Sequence, residues 1–487
     1  MRHGAVCLGA ACLGLVLALA GPPALAQDAA TVAVDPATIG PAVSSRILGM
    51  NSGNWVDQMH PGMAESLKTA GITATRWPGG SQSDQFHWQS DTGCPGSYIN
   101  PNATFDDFLG HIVGPAGLDL SITVNYGSDA ACKAGGDPAE AAGWVAYARA
   151  RGIKVSHWTV GNEVYGSWEY DLHPTPHDAA TYARAVAGGF YPAMKQADPQ
   201  ANVGVVISPG WPPNWDRTVL ALAKYDFVEL HWYGAQPGQE DDVTLLTKAP
   251  QVFAAQIAAA QDELISAGRA GTPIYAGELG SVTNKPGKQT QSITQALFAG
   301  QMLGELMNAG VESAAWWAGF GPCSDARTGN FSSQLFGLQE FSGYMTFADG
   351  IPEDRCPSAR PVPFGTLLPT ARAFQLFALV ARNGEHSLGV TLGGNAQSLR
   401  AYALTQGSGA ALILFNLDKA VALPVQVSVN GMTDAGSAVV DTYDKEIYEQ
   451  TRDDVWAGPM ETSLGRRGLP LTLLLPPWSM NVVRLSR

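Results

Sequence analysis

The sequence predicts an α/β protein: a (β/α)8 barrel with an all-β C-terminal sandwich, joined by an N-terminal strand. Eight short apolar runs recur between Ile47 and Trp317, most of them followed by a polar or Gly-rich loop and then a helical stretch. Strand–helix alternation repeated in this way closes a parallel barrel. The runs are almost continuously apolar, which suits strands covered on both faces. After a last helix, the texture changes to short strands separated by Gly, Asn, Asp and Pro, the pattern of a sandwich.

Residues 1–26 read as an export signal. Met1-Arg2-His3 precedes an apolar run from Ala5 to Ala20, and Ala24-Leu25-Ala26 supplies the small-residue cleavage site. That run has the wrong length and flanks for a spanning helix, and no later segment is long and apolar enough to span. The mature chain is expected to start near Gln27 and to be secreted, periplasmic or extracellular. Residues 27–45 contain a strand, Ala30–Val34, expected to pair with the sandwich. The barrel is assigned to residues 46–385, with strands ILGMN, ITATRW, LSITVNYG, VSHWTVGNE, NVGVVIS, FVELHWYG, PIYAGE and SAAWWAG. Helical patterning is clearest over Gly143–Arg151, Ala179–Lys195, Gln251–Ala267 and Ser292–Asn308, and a closing helix is expected over Thr370–Arg382. Residues 386–487 are assigned to the sandwich. Its strands are Ser398–Leu404, Ala410–Asn416, Val425–Val429, Ala438–Tyr443 and Leu471–Leu475.

The chain is acidic, with net charge −14 and only 29 Lys and Arg. Nucleic acids and anionic membranes reward basic patches, so neither is expected as a partner. Cys7 and Cys12 would leave with the signal. Cys94, Cys132, Cys323 and Cys356 remain, an even number in an exported chain, and locality favours disulfides Cys94–Cys132 and Cys323–Cys356. No CxxC or HxxxH spacing suggests a metal site.

In a parallel barrel, chemistry collects at the C-terminal rim. The run ends place Asn51, Arg76, Trp77, Asn125, Asn162, Glu163, His231, Tyr233, Glu278 and Trp317 there. Of 13 tryptophans, nine fall at or just after a strand end. Sugars offer C–H faces to aromatic rings and hydroxyls to Asn, Arg and carboxylates, so a carbohydrate substrate fits this ring. Taken alone, GNE opens many helices, and a lone histidine more often satisfies a core. The conjunction is sharper. Glu163 follows the fourth strand and Glu278 the seventh, with His-x-Tyr on the sixth between them. A carboxylate at the end of a buried strand costs stability unless it has work to do, and two facing carboxylates are what glycoside hydrolysis needs.

At these residues the chain resembles the clan A glycoside hydrolases. Asn162-Glu163 after strand four and Glu278 after strand seven match that clan's pattern, which implies a TIM barrel with Glu163 as acid/base and Glu278 as nucleophile. The segment Arg76-Trp77-Pro78-Gly79-Gly80 is similar to the RWPGG of family 51 α-L-arabinofuranosidases, as are VNYGS at 124–128 and GNEVYGSW at 161–168. Leu279-Gly280-Ser281 departs from the Trp-Asn usual after that family's nucleophile. Asn51 stands where an acidic residue is expected, and families 39, 30 and 79 share the clan.

The implied reaction is a retaining double displacement needing no cofactor. Asn51, Arg76, Trp77, Asn125, Asn162, His231, Tyr233 and Trp317 are expected to hold substrate or the catalytic pair. Arg76, His231 and Tyr233 are expected to hydrogen-bond Glu278, while Glu163 is expected to lack a cation. Asn162 is expected to hold the sugar 2-hydroxyl. Retention requires the carboxyls about 5–5.5 Å apart, whereas inversion needs roughly 6.5–9.5 Å. Other readings are a clan A β-glycosidase of different specificity (a xylosidase, an endo-glycanase, or a glucuronidase using Lys285 and Lys288 on a uronate) and a non-catalytic carbohydrate-binding barrel.

Overall fold

The structure, a computed structural model, describes residues 29–325, 332–350, 356, 360–381 and 385–487. The export signal expected at residues 1–26 lies outside them. The chain enters through β1 (Ala30–Ala42), which belongs to the sandwich. It pairs antiparallel with residues 386–393 and parallel with residues 425–429.

Eight parallel strands then close the barrel: β2 (Gly49–Asn51), β3 (Ala74–Trp77), β4 (Asp119–Val124), β5 (His157–Val160), β6 (Val203–Val206), β7 (Phe227–Ala235), β8 (Ile274–Val282) and β9 (Ser313–Trp316). Every apolar run read as a barrel strand is one. β8 runs past Glu278 to Val282, because Leu279, Gly280 and Val282 still pair with Trp232, Tyr233 and Ala235. The register slips between Ala276 and Glu278 against β7, and between Ala276 and Leu279 against β9. Such a slip re-aims a side chain, here that of Glu278.

The helices form for local reasons. Asp137 caps α1 (Pro138–Ala150) by accepting from Ala139 N, and Pro138 occupies a first-turn position where no N–H is missed. Ala141, Trp144, Val145 and Ala148 make one apolar stripe, buried against the barrel. The stretch expected as one helix over Ala179–Lys195 contains a wider turn, Val186–Phe190, between helical segments Ala179–Ala185 and Tyr191–Ala197. Pro192 has no N–H for the carbonyl four residues earlier, so the hydrogen bonds widen there.

The sandwich comprises β1 with β10 (His386–Gly393), β11 (Leu399–Gln406), β12 (Gly409–Asn416), β13 (Leu423–Val429), β14 (Asp434–Asp444), β15 (Met460–Gly468), β16 (Leu471–Leu475) and β17 (Ser479–Ser486). Its hydrogen-bonded order is β15-β14-β17-β12-β11-β10-β1-β13-β16. β12 is buried on both faces. Ala410, Leu412 and Leu414 fill the sandwich core, while Ala411, Ile413 and Phe415 join the barrel core. Phe415 and Met480 press on α2 (Ile293–Ala309), where a Cβ on Gly300 would come within 2.9 Å of the first and 2.8 Å of the second. The sandwich is therefore fused to the barrel by a dry interface, and truncating Phe415 to alanine would cost about 3–5 kcal/mol. Both expected disulfides are present, Cys94–Cys132 and Cys323–Cys356. No helix among the described residues is long and apolar enough to cross a membrane.

Candidate active site

β3, β5, β7 and β8 bring their C-terminal residues together over the barrel mouth. Arg76, at the end of β3, is fully buried. Its Nη1 donates to Glu278 Oε1 at 3.0 Å and to Asn51 Oδ1 at 3.0 Å, and its Nη2 donates to Asn162 Oδ1 at 2.7 Å. Its Nε lies 2.9 Å from Glu229 Oε1 as an ion pair. Tyr233 donates its hydroxyl to Glu278 Oε2 at 2.6 Å. Glu278 is thus held at both oxygens.

Glu163 follows β5 in left-handed backbone, with φ 40°. For a residue with a Cβ that conformation costs roughly 1–2 kcal/mol, a cost usually tolerated at functional positions. Its Oε1 meets His231 Nδ1 at 2.9 Å, and its Oε2 accepts from Trp168 Nε1 at 2.8 Å. One oxygen of Glu163 and one of Glu278 lie within 4.8 Å of each other.

The pair opens into a cavity of about 490 Å³. Asn162, Tyr233 and Trp317 line it with the two glutamates, as do Gly80, Ser81, Trp168, Glu169, Gln236, Thr283, Asn284 and Tyr344. Gly80 has φ +47°, and a Cβ there would meet the Trp317 ring at 2.7 Å, so the glycine lets that indole lie over the turn.

Other expected residues sit elsewhere. Arg76, Asn51 and His231 lie beneath the cavity: Arg76 meets Glu278, His231 meets Glu163, and Asn51 meets Arg76. Trp77 is a correction. It is fully buried and packs against Phe86, Phe105, Phe108 and Trp144, because its side chain points outward from β3 under α1. Asn125 is also a correction, since its amide braces its own loop, donating to Phe86 O at 3.2 Å and Ser128 Oγ at 3.1 Å. Several rim tryptophans, Trp215 and Trp316 among them, are likewise core. Strand ends in a barrel carry packing as well as chemistry.

The electrostatics reverse one expectation. Glu163 has a cation after all. Burial works to raise its carboxyl, but the His231 hydrogen bond and charge, then Trp168 and Arg76, bring it below the ordinary value. Burial raises Glu278, and His231 and Arg76 oppose that rise without cancelling it. His231 is buried, which disfavours its charge, yet Glu278, Glu163 and Glu229 push it up to about 10. It therefore stands as an imidazolium near neutral pH. His231 was expected on Glu278, but its Nδ1 lies 3.8 Å from Glu278 Oε2, against 2.9 Å from Glu163.

Two acidic residues were not singled out in the sequence. Glu169 accepts from Ser81 Oγ at 2.9 Å and from Asn162 Nδ2 at 3.0 Å. Burial, with the charges of Asp84 and Glu163, pushes it well above the carboxylate range. Glu229 lies fully buried inside β7. A signal existed for it, since a charged residue in an apolar run buried on both faces demands a buried partner.

No protein-family model matches the sequence, and no curated protein matches it either. Solved structures do match. The Thermotoga maritima α-L-arabinofuranosidase in its arabinose complex superposes with TM-score 0.70 at 18% identity, covering 93% of this chain and 99% of that one. The fold is that of solved arabinofuranosidases. The Thermotoga petrophila RKU-1 GH51 α-L-arabinofuranosidase gives TM-score 0.71 at 19% identity, covering 93% and 99%. A Paenibacillus polymyxa xyloglucanase of family 44 gives 0.64 at 13% identity, covering 94% and 99%. At such identities the likeness is one of architecture, a barrel with a sandwich. The chemistry has to be argued from the residues.

Proposed function

We propose that this protein is a retaining, α-L-arabinofuranosidase-like glycoside hydrolase acting on plant or microbial saccharides. The observation that carries the reading is the approach of Glu163 and Glu278, within 4.8 Å, over a rim cavity. That gap suits direct attack on an anomeric carbon and is too narrow for the water that inversion places between the carboxyls, which needs roughly 6.5–9.5 Å.

Glu278, held by Arg76 and Tyr233, attacks the anomeric carbon as a carboxylate. Glu163 gives its proton to the leaving oxygen, then takes one from the water that releases the sugar. The catalytic form has Glu163 protonated and Glu278 ionised. Each carboxyl has one cationic and one neutral donor, but the free site favours the pair's proton on Glu278, the reverse of that form. Glu163 keeps 17% of its side chain exposed, against 6% for Glu278. A sugar filling the cavity strips that water and raises Glu163, moving the pair toward the catalytic form. Asn162 uses one amide N–H on Glu169, leaving its second for the 2-hydroxyl.

Lys285 and Lys288 do not line the cavity, so the uronate reading loses its cations. A purely binding barrel needs no second carboxylate within 4.8 Å of the first. The disulfides suit an exported protein. The test is a panel of aryl pentofuranosides, pentopyranosides, hexosides and uronides, with proton NMR of the first-formed product. Hydrolysis of the α-L-arabinofuranoside with retention is expected. An inverted first product, or no hydrolysis across the panel, overturns the reading.

A further inference from the structure

Glu229 is the buried charge that the reaction scheme leaves unused. It does not line the cavity and meets no substrate. Yet its Oε1 lies 2.9 Å from Arg76 Nε and 2.9 Å from His231 Nε2. Arg76 is the guanidinium that holds Glu278, and His231 is the ring that holds Glu163. The second oxygen of Glu229 accepts a hydrogen bond from the Thr159 hydroxyl on β5. The surroundings are shaped for this carboxylate, because a Cβ on Gly277 would stand 1.9 Å from Glu229 Oε1. Gly277 immediately precedes Glu278, at the register slip of β8.

We propose that Glu229 is a positioning residue of the reaction: one buried carboxylate that seats Arg76 under the nucleophile and His231 under the acid/base. The inference rests on the roles given above to Glu163 and Glu278. Both ring nitrogens of His231 face carboxylate oxygens, Glu229 below and Glu163 above. With Glu229 ionised, both nitrogens carry protons, and Nδ1–H donates to Glu163 whether Glu163 is acting as acid or as base. The groups facing the ring are Glu163 from the loop after β5, Glu278 from β8, Arg76 from β3, and Glu229 from its own strand. Glu229 meets Nε2, the ring nitrogen turned away from Glu163. It therefore sets the state of the histidine without competing for the sugar.

The test compares wild-type protein with Glu229→Gln and Thr159→Val. The readouts are kcat and KM on the best aryl glycoside, and the His231 ring titration by NMR of histidine-labelled protein, assigned with His231→Gln. For Glu229→Gln, kcat is expected to fall about 100-fold, the scale of one acid/base contribution. KM should stay within about threefold, because uniform binding is untouched. The His231 midpoint should drop by more than one pH unit from its value of about 10. Thr159→Val keeps the charge and loosens one oxygen, so kcat should fall about 3–10-fold, the worth of one hydrogen bond. It carries the test if Glu229→Gln does not fold. An unmoved His231 midpoint in Glu229→Gln overturns the proposal, as does unchanged kcat in both variants. A KM that rises as kcat falls would mark a merely structural role and also overturn it. A wild type inactive on every glycoside sinks the glycosidase reading separately, and the NMR arm still judges the role of Glu229.

Discussion

Replacing Arg76 by methionine should destabilise the barrel, and by more at alkaline pH than at acid. Methionine keeps much of the apolar stem and removes the guanidinium. Four contacts go with it: Glu278 at 3.0 Å, Asn51 at 3.0 Å, Asn162 at 2.7 Å and Glu229 at 2.9 Å. Breaking a buried ion pair from one side costs about 3–5 kcal/mol, because the remaining charge is stranded. Here two carboxylates are stranded, with His231 as their remaining cation. The pH dependence follows from linkage. In the native protein Arg76 is the first of the influences that bring Glu229 below its ordinary value against its burial, so Glu229 adds stability above the unfolded carboxylate pKa and loses it as pH falls. Without Arg76, burial dominates and the folded carboxyls titrate above their unfolded values. Each then favours the folded state at low pH and loses that advantage as pH rises, by up to about 1.4 kcal/mol per unit. The gap between native and variant should therefore widen between pH 5 and pH 8. Denaturant unfolding at both values, followed by tryptophan fluorescence, measures it. A gap that is equal at the two values, or widest at pH 5, would refute the argument.

Three other outcomes are expected. Glu163→Ala should keep slow hydrolysis of substrates with good leaving groups and be rescued by azide, because such substrates need no proton and a small anion fills the vacated space; equal loss on all substrates without rescue counts against the acid/base role. His231, held at about 10 against an unfolded 6.5, adds stability that is complete below pH 6.5 and lost as pH approaches 10. The thermal midpoints of wild type and His231→Gln should converge over that window, and parallel curves would contradict it. Protein made by export should yield Cys94–Cys132 and Cys323–Cys356 peptides when mapped without reduction. With separations of 38 and 33 residues, each bond is worth about 3–4 kcal/mol, and free thiols at all four positions would deny both.

The barrel was legible because its strands are mostly apolar runs, each punctuated by a loop. The sandwich was only partly legible. Met460–Gly468 is exposed along nearly its whole length, so METSLGRRG carries no alternation to read. Ser479–Ser486 is buried on both faces, which also erases the alternation. His386–Gly393 contains two glycines and pairs with β1, a partner some 350 residues away in sequence. Long-range pairing leaves no local mark.

At the site, sequence located the two glutamates and mistook part of their support. The error over His231 is informative. Residues 231 and 278 are Cα partners across β7 and β8, yet the histidine's hydrogen bond goes to Glu163. The register slip beside Gly277 turns Glu278 toward Arg76 and Tyr233, and leaves the histidine to Glu163. A one-residue irregularity in a strand thus decides which carboxyl receives which cation. Periodicity cannot show it. The glycine before the glutamate could have hinted at it, and so could the glutamate two residues before the histidine. A buried acid in FVELHWYG must be matched by a cation, and the strand-end arginine on β3 and the histidine on its own strand are the groups within reach. Glu229, Arg76 and His231 thus form one buried unit beneath Glu163 and Glu278, and the pattern HWY is only its visible end.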